Sequence, residues 1–141
     1  MSDKKTFSFK CHKINGGTGE GKSIVSSDAI NFYNADSETG VIIEKNHALK
    51  GKSIARKVVI FPNGKGSSIV QGDGIYNLTQ KGTAPVAMII KEPDTILVAG
   101  AVIWRIPLVD KVPDEFYEQV EDDDYIKVEA DEGLITLMKA S

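Results

Sequence analysis

At 141 residues, with 41% hydrophobic and 26% charged residues, the chain reads as one soluble globular domain over residues 1–141. That length buries a real core but is short for a complete multistep enzyme, so a partner is expected. A net charge of −3, from 17 basic and 20 acidic residues, excludes global attraction to phosphate backbones, and nucleic acid is not an expected partner.

No apolar run is long enough to cross a bilayer, and Met1-Ser2-Asp3-Lys4-Lys5-Thr6 lacks the apolar segment of a secretory signal. No membrane partner and a cytoplasmic location are expected. The one cysteine, Cys11, cannot form an internal disulfide. With only His12 and His47 besides, it predicts no metal site and no cofactor bound by this chain.

Along the chain, Thr6 to Cys11 alternates with Phe7, Phe9 and Cys11 on one face, which predicts a half-buried strand with Cys11 in the core. Gly16 to Gly21 is expected to end it. Ser23-Ile24-Val25 and Val41 to Glu44 are short strand candidates, separated by the turn formers Asn34 to Gly40, where Asp36 is expected to make an Asx-type turn. Ser53 to Phe61 is β-rich. Ile69 to Lys81 predicts a helix with Ile75 and Leu78 on one face and Gly82 ending it, although Gly72 and Gly74 weaken it.

The continuous apolar runs Pro85 to Ile90 and Ile96 to Ile103 predict central strands covered on both faces. Val58, Ile75 and Ile89 then mark a strand, helix, strand unit with a parallel pair. Glu115 to Asp124 is acidic and is expected to be solvated surface. Tyr125 to Glu129 and Leu134 to Met138 form a hairpin. The fold class is α/β, mixed.

Gly16-Gly17-Thr18-Gly19-Glu20-Gly21-Lys22-Ser23 fits the nucleotide-binding pattern G-x-x-x-x-G-K-S, but its context argues against that role. The pattern needs a helix directly after Lys22 and Ser23, whereas Ile24-Val25 continues as strand. Nor does a clear apolar strand end in a magnesium-binding Asp, since Ile106-Pro107-Leu108-Val109-Asp110 is broken by proline.

The informative turn is Gly64-Lys65-Gly66-Ser67-Ser68, between the apolar run Lys57 to Phe61 and the helix from Ile69. Strand, glycine-rich turn and helix start together aim backbone N–H groups and two hydroxyls at one spot, which suits an anion. Either serine can cap the helix, and a capped turn without chemistry stays open on this pattern alone. His47 reads as a turn residue.

This turn is one part of an ordered set: Asp36-Ser37-Glu38-Thr39-Gly40-Val41-Ile42, His47, Lys50-Gly51-Lys52-Ser53, Gly64 to Ser68, Gly82-Thr83-Ala84-Pro85, Gly100-Ala101-Val102-Ile103 and Ile106-Pro107. In order and spacing, the region from Asn31 to Val109 resembles the small, swivelling domain of the aconitase X family of hydro-lyases. The resemblance implies a three-layer β/β/α swivelling domain with a parallel central sheet and additional antiparallel strands. It implies a small subunit that works with a large catalytic subunit carrying an iron–sulfur cluster. The family's activities are dehydration of 5-phosphomevalonate and of cis-3-hydroxy-L-proline, small hydroxy acids both.

By the same resemblance Ser67 is the catalytic base, Gly66 and Ser68 give close backbone approach and a hydroxyl contact to the substrate carboxylate, and Lys65 adds positive charge. Where the family often has an aromatic-Gly-Gly segment before the aspartate, this chain has Phe32-Tyr33-Asn34-Ala35-Asp36. The alternative from another class is a non-catalytic module that holds a small anion at the same turn.

Overall fold

A computed structural model describes residues 4–140, so residues 1–3, the start of the N-terminus considered above, lie outside the described residues. Among the described residues eight strands and three α-helices follow one another as β1 (Lys4–Lys10), β2 (His12–Asn15), β3 (Thr18–Val25), β4 (Val58–Phe61), α1 (Ser68–Lys81), β5 (Ala87–Ile90), α2 (Thr95–Trp104), β6 (Leu108–Asp110), α3 (Asp114–Gln119), β7 (Tyr125–Glu129) and β8 (Leu134–Ala140). The strand order is β1-β8-β7-β3-β4-β5-β6-β2.

β3 divides this sheet. Its first residues, Thr18 to Lys22, pair antiparallel with β7, while Ser23 to Val25 pair parallel with β4. The parallel run continues from β4 to β5 to β6. β1 and β2 are separated only by Cys11 and pair antiparallel with β8 and β6, so one segment joins both ends of the sheet.

Three layers follow from the burial pattern. Every residue of β4 and β5 is buried, and the alternation of the strand sends neighbours to different cores. Val59, Phe61, Met88 and Ile90 pack with Ile75 and Leu78 of α1 and Leu97 and Ala101 of α2. Val58, Ile60, Ala87 and Ile89 pack with Ile126, Val128, Ile135 and Leu137 from β7 and β8. The central sheet therefore has helices on one face and a second sheet on the other, the β/β/α arrangement expected.

Several local expectations need correction. Ile96 to Ile103 is not a strand but the body of α2. Asp94 caps it, Oδ1 accepting from the Ile96 N–H at 3.0 Å, and Gly100 lets α1 approach, since a Cβ there would lie 2.8 Å from Ile75 Cδ1. The first strand ends at Lys10, before the glycines, and the glycine stretch expected to be a break is in part strand, since β3 runs through Gly19 and Gly21. A Cβ at Gly19 would overlap the Val86 carbonyl and one at Gly21 would meet the Arg56 carbonyl at 3.0 Å, so these glycines admit the backbone that leads into β5 and β4.

Val41 to Glu44 makes only isolated bridges, and Ser53 to Lys57 is irregular before β4 begins. Pro107 does not abolish the following strand: Leu108–Asp110 is β6, and the Asp110 carboxylate at its end binds His12 Nδ1 at 2.7 Å. The acidic stretch is not all solvated, because α3 buries Phe116, whose ring stands edge-on to Phe9 at 5.4 Å.

Candidate functional site at the start of α1

The turn 62–67 leaves the carboxyl end of β4, where ligands of parallel α/β sheets commonly bind. Gly64 bridges Ile30 in parallel fashion: the Ile30 N–H donates to the Asn63 carbonyl and the Lys65 N–H to the Ile30 carbonyl, both at 3.1 Å. Gly66 adopts φ 101°, and a Cβ there would lie 2.9 Å from Asn31 Nδ2. The position is closed to larger residues twice over, by conformation and by space.

Ser67 is the N-cap of α1. Its backbone is extended and its Oγ accepts the Val70 N–H at 3.3 Å, while the residue stays exposed. An oxygen at that position sits at the positive end of the helix, where N–H donation and the aligned peptide dipoles favour negative charge on it. Ser68 opens α1, and its side chain lies outside the described residues.

Lys65 turns its ammonium to Glu44 Oε2 at 2.5 Å, and Glu44 Oε1 accepts from Asn34 Nδ2 at 3.2 Å. The hydrogen bond from Lys65 holds the Glu44 carboxyl below the usual carboxylate range. Large apolar side chains stand uncovered around these residues: Ile69 is 74% exposed, Ile43 60% and Tyr33 54%. The turn is thus a polar spot on open surface with an apolar surround.

His47 serves the loop. Its ring is buried, Nδ1 accepts the Leu49 N–H and Nε2 donates to the Ala29 carbonyl, each at 2.9 Å, so neither nitrogen is left for a substrate. Asp36 makes the expected Asx turn, Oδ1 accepting from the Glu38 N–H at 2.9 Å. The structure does not bring it to Ser67. Its loop docks at the far end of α1, through Thr83 Oγ1 to the Ser37 carbonyl and Lys81 to Glu38, about 20 Å along the helix.

A cleft of about 470 Å³ lined by Gly17, Glu20, Thr79, Pro85, Trp104 and Arg105 lies at that far end too, away from the turn. Lys22 and Ser23 lie within β3 and no helix follows them, so no phosphate cradle forms there.

Among the described residues no three His, Cys, Asp or Glu side chains converge to hold a metal. The Cys11 thiol packs against the core between the two sheets, and burial, with the nearby Asp110 charge, pushes its pKa up to about 11. This donor set does not fit an iron–sulfur cluster.

Sequence reasoning missed Gln71 and Asp94. Gln71 follows Ser67 by four residues on one helix face and donates to the Gly66 carbonyl; Asp94 meets it from the start of α2. The local signal for Asp94 is its place as a helix-capping residue before Thr95, and Gln71 carries none, because its contacts are tertiary.

A parallel central sheet with helices on one face and a second sheet on the other, opened by a strand-turn-helix start with an exposed capping serine, is the β/β/α architecture of a swivelling domain. Residues 8–137 match the model of the aconitase X swivel domain, and the chain belongs to that family. It is 43% identical to the phosphomevalonate dehydratase small subunit of Methanosarcina acetivorans over 93% of this chain and 91% of that one. It is 44% identical to the protein of that name from Methanothrix thermoacetophila, over 94% and 96% of the two chains. The crystal structure of Thermococcus kodakaraensis aconitase X superposes with a TM-score of 0.84 at 36% identity, covering 94% of this chain and 99% of that one.

Proposed function

We propose that the chain is the small subunit of a phosphomevalonate dehydratase, and that Ser67 is the base its turn contributes to a site completed by a large subunit. The observation that carries this is the Ser67 Oγ, exposed at the N-cap of α1 and accepting the Val70 N–H. Relatives that match nearly the whole chain bear the name of such a subunit, and they favour 5-phosphomevalonate over cis-3-hydroxy-L-proline as the substrate.

Dehydration removes a proton from one carbon and hydroxide from its neighbour, leaving a double bond and water. In this reading Ser67 Oγ, as alkoxide, takes the carbon-bound proton. A neutral serine hydroxyl is a very weak base and burial alone disfavours its charged form, so in this reading the N–H groups of the helix start and cations of the partner stabilise the alkoxide, contacts that a dry interface strengthens. The backbone at Gly66 and the hydroxyl of Ser68 receive the substrate carboxylate, and Lys65, whose ammonium has donors beyond the one given to Glu44, adds charge beside it.

The departing hydroxide needs a Lewis acid, and among the described residues no cluster of His, Cys, Asp or Glu is placed to hold one. The iron–sulfur centre expected of the family therefore belongs, in this reading, to the large subunit. Ile43, Ile69 and Tyr33 give that subunit an apolar surround to cover.

The test is anaerobic reconstitution with the large subunit and assay of 5-phosphomevalonate and cis-3-hydroxy-L-proline separately. Dehydration of 5-phosphomevalonate by the complex and by neither chain alone is expected. Turnover by the isolated chain would contradict the subunit reading, and saturable binding of a small carboxylate or phosphate with no partner recruited would favour the non-catalytic module.

A further inference from the structure

We propose that Gln71 and Asp94 act as a positioning pair that fixes the peptide between Gly66 and Ser67, and with it the direction of the Ser67 N–H and side chain. The inference rests on the role given to Ser67 above. Gln71 is only 1% exposed although it lies in the first turns of α1. Its Nε2 donates to the Gly66 carbonyl at 3.2 Å and to Asp94 Oδ2 at 3.3 Å. Both partners are acceptors, so the amide has one workable orientation; reversed, Oε1 would face a carbonyl and a carboxylate.

Asp94 uses its two oxygens on two helices. Oδ1 caps α2 at Ile96 while Oδ2 holds Gln71, so the start of α2 is tied to the turn before α1. Gly64 makes the room. Its φ is not positive, yet a Cβ there would lie 2.7 Å from Gln71 Oε1 and 2.9 Å from Asp94 Oδ2, so glycine is needed at 64 for space and not for conformation.

Packing alone does not account for Gln71. Its Oε1 is buried without a hydrogen-bond partner, a desolvation cost that an apolar side chain of similar size would avoid. What the amide adds is direction. Gly66, at φ 101°, leaves the following peptide loosely determined, and a trans peptide carries its C=O and N–H on opposite sides. Holding the Gly66 carbonyl inward on Gln71 turns the Ser67 N–H outward, to the exposed face of the turn.

The experiment compares Asp94→Asn, Gln71→Met and the double variant in the complex reconstituted with the large subunit, assayed on 5-phosphomevalonate alongside melting temperature. Asp94→Asn can keep the cap on Ile96 but opposes a second donor to Gln71; Gln71→Met removes both donors and the orphaned oxygen, and keeps the test open should the first variant fail to assemble.

The expected result is a loss of about ten- to a hundredfold in kcat, larger than any change in KM, with melting temperature and assembly near wild type. The double variant should be no worse than the worse single one, because both act through one carbonyl. Wild-type kcat in either assembled variant, or a loss that follows melting temperature, would overturn the proposal. Should Ser67→Gly retain wild-type kcat, the role of Ser67 itself would fall, and the pair with it.

Discussion

Gly74 lies face to face with the backbone of Tyr33: a Cβ added at Gly74 would overlap the Tyr33 nitrogen and the Phe32 carbonyl carbon. This contact seats the short turn Phe32–Asn34 on α1, buries Phe32 against Phe61 and so holds Asn31 beside Gly66. Gly72, two residues earlier on the same helix, has nothing within 4 Å of its would-be Cβ.

The two glycines should therefore answer oppositely to one substitution. Gly72→Ala is expected to stabilise the chain by about 0.5–1 kcal/mol, since it only removes backbone freedom from the unfolded state. Gly74→Ala is expected to destabilise it by about 1–3 kcal/mol, because the turn must move off the helix. Denaturant unfolding of both variants checks the signs.

The contrast shows what the sequence could and could not reveal. Both glycines read as helix weakeners, and only a contact about forty residues away in the chain separates them. The runs at Ala87–Ile90 and Ile96 to Ile103 look alike, and one is a strand while the other is a helix. Short apolar runs lack the periodicity that would tell them apart, and the cap at Asp94 with the small residues Ala99-Gly100-Ala101 decides it. The Ser67 turn was legible because its determinants are local: strand, glycines, serine and helix follow in sequence. Its anchors at Asn31, Glu44, Gln71 and Asp94 were not, because they reach it through tertiary contacts.

Glu44 gives a pH prediction. Its pKa is lowered from an ordinary 4.5 in the folded state, so its bond to Lys65 contributes stability that is complete above that value and lost as pH falls through the folded one. With both groups partly exposed, Glu44→Gln should cost up to about 1 kcal/mol at neutral pH. The difference between wild type and Glu44→Gln should shrink as pH falls below 4.5 and be lost once the folded-state carboxylate is protonated, as followed by urea unfolding. A gap that persists there would show that the carboxylate charge is not its source.

Cys11 should be inert in the native chain. Burial pushes the thiol up to about 11, so on the order of a hundred times less thiolate is present at pH 8 than at an ordinary cysteine, and alkylation should be correspondingly slow. Rapid modification by iodoacetamide without unfolding would contradict the burial assigned to it.

Ser67 bears the central claim, and Ser67→Gly separates its two jobs. Glycine is tolerated at an N-cap at a cost of only a few tenths of a kcal/mol, whereas alanine there costs about 1 kcal/mol. The most direct measurement is thus 5-phosphomevalonate dehydration by the complex of Ser67→Gly with the large subunit, beside wild type and with assembly confirmed. Turnover reduced by about a hundredfold or more in a stable, assembled complex is the predicted result; wild-type turnover would contradict the assignment of Ser67 as the base.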